Sequence, residues 1–221
     1  MGLAGSGVIA IWNDMREGAR DAVYAWHNRE HIPERVGIPG FLRGRRFIAE
    51  EGRPEFFILY ETRDIAAASG PAYFERLNNP TPWTRRTNKN FLNTVRGLCE
   101  VVLSQGVPDG GAMLTLRLNP APGGAAVLRE AVARAVPALL EETGIMAVHL
   151  CAAKREVSLV ETNEREGRAP LIAPDWILMM EGMSTAALKD AQERLLPEAR
   201  LGPAERGLYR LEISLSRPPQ A

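Results

Sequence analysis

The stretch Arg96-Gly97-Leu98-Cys99-Glu100-Val101-Val102-Leu103-Ser104 has a second version in the chain, Arg206-Gly207-Leu208-Tyr209-Arg210-Leu211-Glu212-Ile213-Ser214. Both open on Arg-Gly-Leu and continue as strand-like apolar runs. Working outward, Pro54-Glu55-Phe56-Phe57-Ile58-Leu59-Tyr60-Glu61 matches Pro174-Asp175-Trp176-Ile177-Leu178-Met179-Met180-Glu181. Each of these runs into an Ala-rich helix start, at Ile65 and Thr185. Nearer the N-terminus Gly7 aligns with Gly111, Pro33 with Pro137 and Gly40 with Gly144. Internal similarity of this kind fixes an architecture before any single residue is read. The separation between matched residues changes along the chain, which puts insertions at 78–88 in the first half and 154–169 in the second.

Each half reads strand, helix, strand, strand, helix, strand. The first half predicts strands at 7–13, 41–49, 55–62 and 95–105, with helices at 16–36 and, broken, at 64–92. The second predicts strands at 112–118, 145–153, 175–182 and 207–216, with helices at 124–142 and 184–195. Val127, Leu128, Val132, Val136, Leu139 and Leu140 form one apolar helical stripe. Val107-Pro108-Asp109-Gly110-Gly111 is all turn formers, and links a unit at 1–106 to one at 112–221. The βαββαβ order is the ferredoxin-like motif, whose helices cover one face of a sheet. Phe56–Tyr60 and Trp176–Met180 are apolar at every position, so the other face must be covered too. The expected fold is α+β: two tandem ferredoxin-like βαββαβ units packed sheet to sheet as an intramolecular α+β barrel.

Twenty-seven Lys and Arg balance 27 Asp and Glu, so the formal net charge is zero. That removes the usual warrant for a nucleic-acid partner. No apolar run approaches the roughly 20 residues that cross a bilayer, so no membrane partner is expected. The N-terminus lacks a basic leader segment. Two cysteines, Cys99 and Cys151, sit in apolar runs and suit a reducing, cytoplasmic setting. The expected partner is a small apolar or aromatic ligand, and a homodimer is compatible with the reading. Neither a Gly-rich dinucleotide loop nor a Walker loop is present. No cofactor is expected; were haem bound, His149 or His31 would be its axial ligand.

The chemistry concentrates in Trp26-His27-Asn28-Arg29-Glu30-His31-Ile32-Pro33. On a helix His27 and His31 share a face, whereas the matched positions in the second half are Ala131 and Ala135. Three readings stand. His-x-x-Glu-His is the inverted zinc-peptidase pattern, but it lacks a third ligand and the peptidase fold, so no metal is expected. The histidines could instead cap a helix end. They could also belong to a pocket, with His31 as general acid or base and His27 as its helper.

The pocket reading draws on Tyr24 to Phe41 with Arg45-Arg46-Phe47, which resembles the EthD-like members of the dimeric α+β barrel superfamily. The resemblance covers about 30 residues of the first half, around a Trp, His and Pro helix motif. It implies an apolar cavity between sheet and helices, and names no reaction. Three of four Trp and two of three His fall in this half. The expected lining is therefore Trp12, Trp26, Tyr60, Trp83 and Arg46 around the two histidines. Trp83, in the Pro-rich insertion 78–88, reads as either a lid or a surface anchor, and 154–169 reads as a mobile surface loop. On the last strand, parity sends Tyr209, Leu211, Ile213 and Leu215 toward the helices. It sends Arg210, Glu212 and Ser214 toward the opposite sheet, with Glu100 and Ser104 likewise. Arg45 and His149 occupy equivalent places, where facing Arg and Glu side chains form a structural ion-pair network.

Overall fold

Strands β1 (Gly7–Met15), β2 (Phe41–Gly52), β3 (Phe56–Thr62) and β4 (Phe91–Gly106) pair in the order β4-β1-β3-β2. Strands β5 (Ala112–Leu118), β6 (Ile145–Ala153), β7 (Trp176–Gly182) and β8 (Ala204–Ser216) repeat that order as β8-β5-β7-β6. These assignments come from a computed structural model that describes residues 2–217. Met1 and 218–221, the outer ends of the two expected units, lie outside the described residues. The two four-stranded sheets join edge to edge: β2 pairs with β8 and β4 with β6, both antiparallel. The result is one closed α+β barrel with ferredoxin-like strand order in each half.

The helices are α1 (Arg20–Trp26), α2 (Ile32–Gly37), α3 (Ile65–Ala68), α4 (Pro71–Asn78), α5 (Pro82–Asn88), α6 (Ala125–Glu141), α7 (Arg155–Ser158), α8 (Thr185–Leu195) and α9 (Glu198–Leu201). Asp64 and Ser184 cap α3 and α8, each accepting a backbone N–H three residues on. On the outside of the barrel α6 and α8 lay Leu128, Val132, Val136, Leu139 and Leu188 against β5 to β7. In the first half Ile32, Val36, Tyr73 and Leu77 lie against Ile9, Ile58, Tyr60 and Leu98.

The barrel interior is filled. Trp12, Phe47, Phe57, Met113, Met179 and Tyr209 interdigitate there, with Trp12 stacked on Phe57 at 5.0 Å. Each such side chain contributes about 1.5–3 kcal/mol by leaving water. Trp12 Nε1 donates to Thr115 Oγ1 at 3.2 Å. One end of the interior is charged. Arg45 forks onto Glu181 at 2.8 and 2.9 Å, and Arg43 onto Glu61 at 2.7 and 2.8 Å. His149 stands 2.9 Å from Ser104 Oγ. Its Nε2 lies 3.3 Å from Glu181, but poorly aligned, so Arg45 is the main partner of Glu181.

The parity expected for the last strand fails. Tyr209 and Leu211 face the barrel interior, while Ile213 and Leu215 face the helices. The pairing of β8 with β2 skips Glu212, since Arg46 faces Ile213 and Phe47 faces Leu211. A bulge of this kind flips every side chain beyond it to the other face. Glu212 consequently reaches Tyr24 and Arg46 on the helix side. Glu100 is likewise outside, paired with Lys154 on the surface.

Candidate functional site

Between α1 and α2 the helix widens. His27–His31 forms a π turn, in which Ile32 N–H donates to the carbonyl of His27. Pro33 has no N–H to give Arg29, and its ring crowds that carbonyl, so the extra residue carries the chain past the proline. The widened turn lays the two imidazoles nearly parallel, with ring centroids 5.5 Å apart. Trp26 covers His31 at 4.3 Å. His27 is 2% exposed and His31 8%.

These rings line a cavity of about 70 Å³ between the helices and the outer face of β1, β3 and β4. It meets a surface groove of about 1040 Å³ at Phe91, Thr94, Arg165 and Arg168. Eight buried side-chain polar atoms among the described residues have no hydrogen-bond partner, and five belong to the cavity wall. They are Asn13 Oδ1, His27 Nε2, His31 Nδ1, Tyr60 OH and Arg165 Nε. Folded proteins leave few such atoms, and a cluster of them marks a place where something polar binds.

Donor rules fix the tautomer of His27. Arg46 Nη1 stands 3.1 Å from His27 Nδ1. A guanidinium can only donate, so Nδ1 accepts and the proton of the neutral ring sits on Nε2. Arg46 is itself held by Glu212 at 3.0 Å and Asn28 at 2.8 Å, and lies over the Tyr24 ring. Burial pushes both imidazoles well below the usual 6.5, helped by Arg46 and Arg35 at His27 and by Arg35 at His31. Both rings are neutral at pH 7. Burial pushes the Tyr60 phenol far up, so it remains a donor.

The structure brings Trp26, His27, His31 and Tyr60 to one cavity and separates the other expected residues from it. Trp12 points into the barrel, because β1 alternates and its other face carries Ile11 and Asn13 to the cavity. Arg46 stands behind His27 instead of lining the space. Trp83 packs beside Trp26 and Phe91, away from the opening. Glu30 accepts hydrogen bonds from Thr81 and Thr84 and does not join the histidines. Neither haem position offers room for a macrocycle: His149 packs against Gly2, and His31 faces only the small cavity.

The insertion 154–169 corrects the expectation of a mobile surface loop. Glu164 and Arg165 are buried and form part of the cavity wall. Glu164 accepts from Arg35 at 2.7 Å and Asn88 at 3.2 Å, and lies 3.8 Å from His31 Nδ1. Asn13, Arg35, Arg96, Glu164, Arg165 and Arg168 were not read as site residues from the sequence. Nothing in local pattern separates them from solvated charges; the one available signal was an insertion in a half that lacks the histidines.

No family model matches the sequence, and no curated protein does. Solved structures do. An anthrone oxidase-like protein is 10% identical over 95% of this chain and 92% of its own, with a TM-score of 0.65. A Fusobacterium nucleatum protein named as a candidate monooxygenase is 11% identical over 97% and 96%, with a TM-score of 0.62. A monooxygenase-like protein of Listeria innocua is 10% identical over 94% and 95%, with a TM-score of 0.51. At these identities the likeness establishes the fold, a ferredoxin-like α+β barrel. No helix among the described residues is long and apolar enough to cross a membrane.

Proposed function

We propose that the chain binds a small aromatic or polyketide-like compound in the cavity beneath the π turn, in the manner of an EthD-like barrel, and acts on it by proton transfer without a cofactor. The observation that supports this is that five unpartnered polar atoms belong to residues lining one cavity. Tyr60 OH and His27 Nε2–H are two donors suited to a phenolate or carbonyl oxygen. Burial keeps His31 neutral in the free protein. When an acidic O–H of the ligand gives its proton to this ring, the oxyanion left beside Tyr60 and His27, together with Glu164 at 3.8 Å, offsets the charge of the imidazolium. The arrangement suits a hydroxylated ring system, the class to which the neighbour's name, anthrone oxidase-like, also points. A ring enters from the groove that the cavity meets at Phe91, Thr94, Arg165 and Arg168.

The test is a thermal-shift and tryptophan-fluorescence screen with phenols, naphthols and anthrones, run on the natural chain and His31→Ala. Saturable binding lost in the variant is expected, with Trp26 beside His31 as the reporter. No saturable binding by any of these compounds refutes the proposal. Binding that is retained, unchanged, by His31→Ala favours a simple binding module whose pocket lies elsewhere.

A further inference from the structure

The cavity wall carries an unbalanced charge. Four arginines, Arg35, Arg96, Arg165 and Arg168, face it together with one carboxylate, Glu164. Glu164 is already committed to Arg35. Arg96 spends its hydrogen bonds on the carbonyls of Ser158 and Val160. Arg165 donates to the Ala169 carbonyl and stands 3.9 Å from the exposed Glu161, leaving Nε without a hydrogen bond. Arg168 donates to Thr94 Oγ1 at 2.5 Å and lies over the Phe91 ring. Buried cations are retained where an anion compensates them. Arg165 and Arg168 both sit where the cavity meets the groove, and Phe91 lies between them and Trp26.

We propose that the compound is an aromatic acid whose carboxylate seats between Arg165 and Arg168, with its ring along Phe91 and Trp26 and its hydroxyl or carbonyl at Tyr60 and His27. This rests on the function proposed above and names the substrate class of that site. Burial already depresses both guanidinium pKa values, helped by Arg96 at Arg165 and by Arg165 at Arg168, the latter to about 10. An anion between the two groups relieves this. The planar fork of arginine matches a carboxylate in geometry as well as charge.

The experiment titrates the chain with salicylate and with hydroxynaphthoate, each against its primary amide, by calorimetry at low and high salt. Each acid is expected to bind about ten- to a hundredfold more tightly than its amide, the scale of a hydrogen bond to a charged group. Salt should narrow that gap. Arg168→Gln should erase the preference and Arg168→Lys should keep part of it, both checked for folding by circular dichroism. If Arg168→Gln does not fold, the acid-to-amide ratio of the natural chain and its salt dependence decide. Equal affinity for acid and amide overturns this inference and leaves the cavity proposal standing. Absence of binding by acids, amides and neutral phenols alike overturns both.

Discussion

Glu181→Gln tests the charged end of the barrel. The substitution keeps the shape of the side chain and removes its charge. Burial alone would raise the Glu181 pKa, but His149 and the Arg45 guanidinium outweigh it and hold the group at about 2 instead of 4.5. At about 1.4 kcal/mol for each tenfold change, the ionised group is favoured in the folded state by about 3 kcal/mol. Removing one partner of a buried pair costs about 3–5 kcal/mol in general. The lower end is expected here, because Glu61 remains 3.0 Å from Arg45. A chain of this length loses about 2–4 °C of Tm per kcal/mol, so the variant should melt about 6–12 °C lower at pH 7. The folded pKa is depressed, so this contribution is complete above pH 4.5 and drains away as the pH falls toward 2. Urea unfolding of both proteins through that range should show the two stabilities converging. A loss below about 1 kcal/mol at pH 7, far under the magnitude for a broken buried pair, would refute the reasoning. So would a gap that stays constant into acid, since that signals packing rather than charge.

His27 and His31 make stability fall below pH 6.5, because the unfolded chain takes up protons there that the buried rings refuse. Each contributes a slope of about 1.4 kcal/mol per pH unit, and urea midpoints of His31→Gln should show a shallower decline than the natural chain; identical slopes would sink the assignment. Glu164→Ala removes the anchor of the insertion to Arg35 and Asn88, so trypsin should cut faster after Arg165 and Arg168, an effect read by mass spectrometry and absent if other contacts hold the segment. Arg46→Met should leave His27 free to change tautomer, weakening binding of a hydroxyaromatic probe about tenfold, at the scale of one hydrogen bond, and should also cost about 3 kcal/mol of stability because Glu212 loses its buried partner; unchanged binding by the folded variant would show that Arg46 only supports the helix.

The element order was legible because two copies of one pattern corroborate each other, and because Gly, Pro and Asp bound nearly every strand. Which face of a strand looks inward was not legible. In a closed barrel with helices outside, Ile9 and Ala10 are both fully buried, one under helices and one in the interior. Alternation therefore carries no label, and Trp12 could be assigned to either side. The pairing registers also equate Val8 with Met113, opposite Glu61 and Glu181. That is one residue off the alignment of Gly7 with Gly111. Glu212 shows the same limit more sharply, since a bulge depends on the partner strand as much as on its own sequence. The histidines stood out because their counterparts are alanines; Glu164 and Arg165 did not, because burial by a distant segment has no local sign.

The halves differ in where they leave polar groups unpaired. In the second half the place of Tyr60 is taken by Met180 and the places of the histidines by Ala131 and Ala135 of α6. Four of the five unpartnered atoms belong to the first half and the fifth to Arg165 of the insertion, and each would cost about 1–3 kcal/mol if nothing met it. That sum is comparable to the whole stability of an ordinary domain, about 5–15 kcal/mol. Such a deficit is tolerable only where water relieves it between ligand visits and a ligand relieves it further. Binding must then stabilise the fold by mass action, about 2.7 kcal/mol at a hundredfold excess over Kd. For a chain of this size that is about 5–11 °C of Tm. The gain should vanish when Tyr60→Phe and His27→Ala remove the two donors together. The same ligand acting undiminished on that double variant would place its site away from these atoms, and the unpaired groups would then need another explanation.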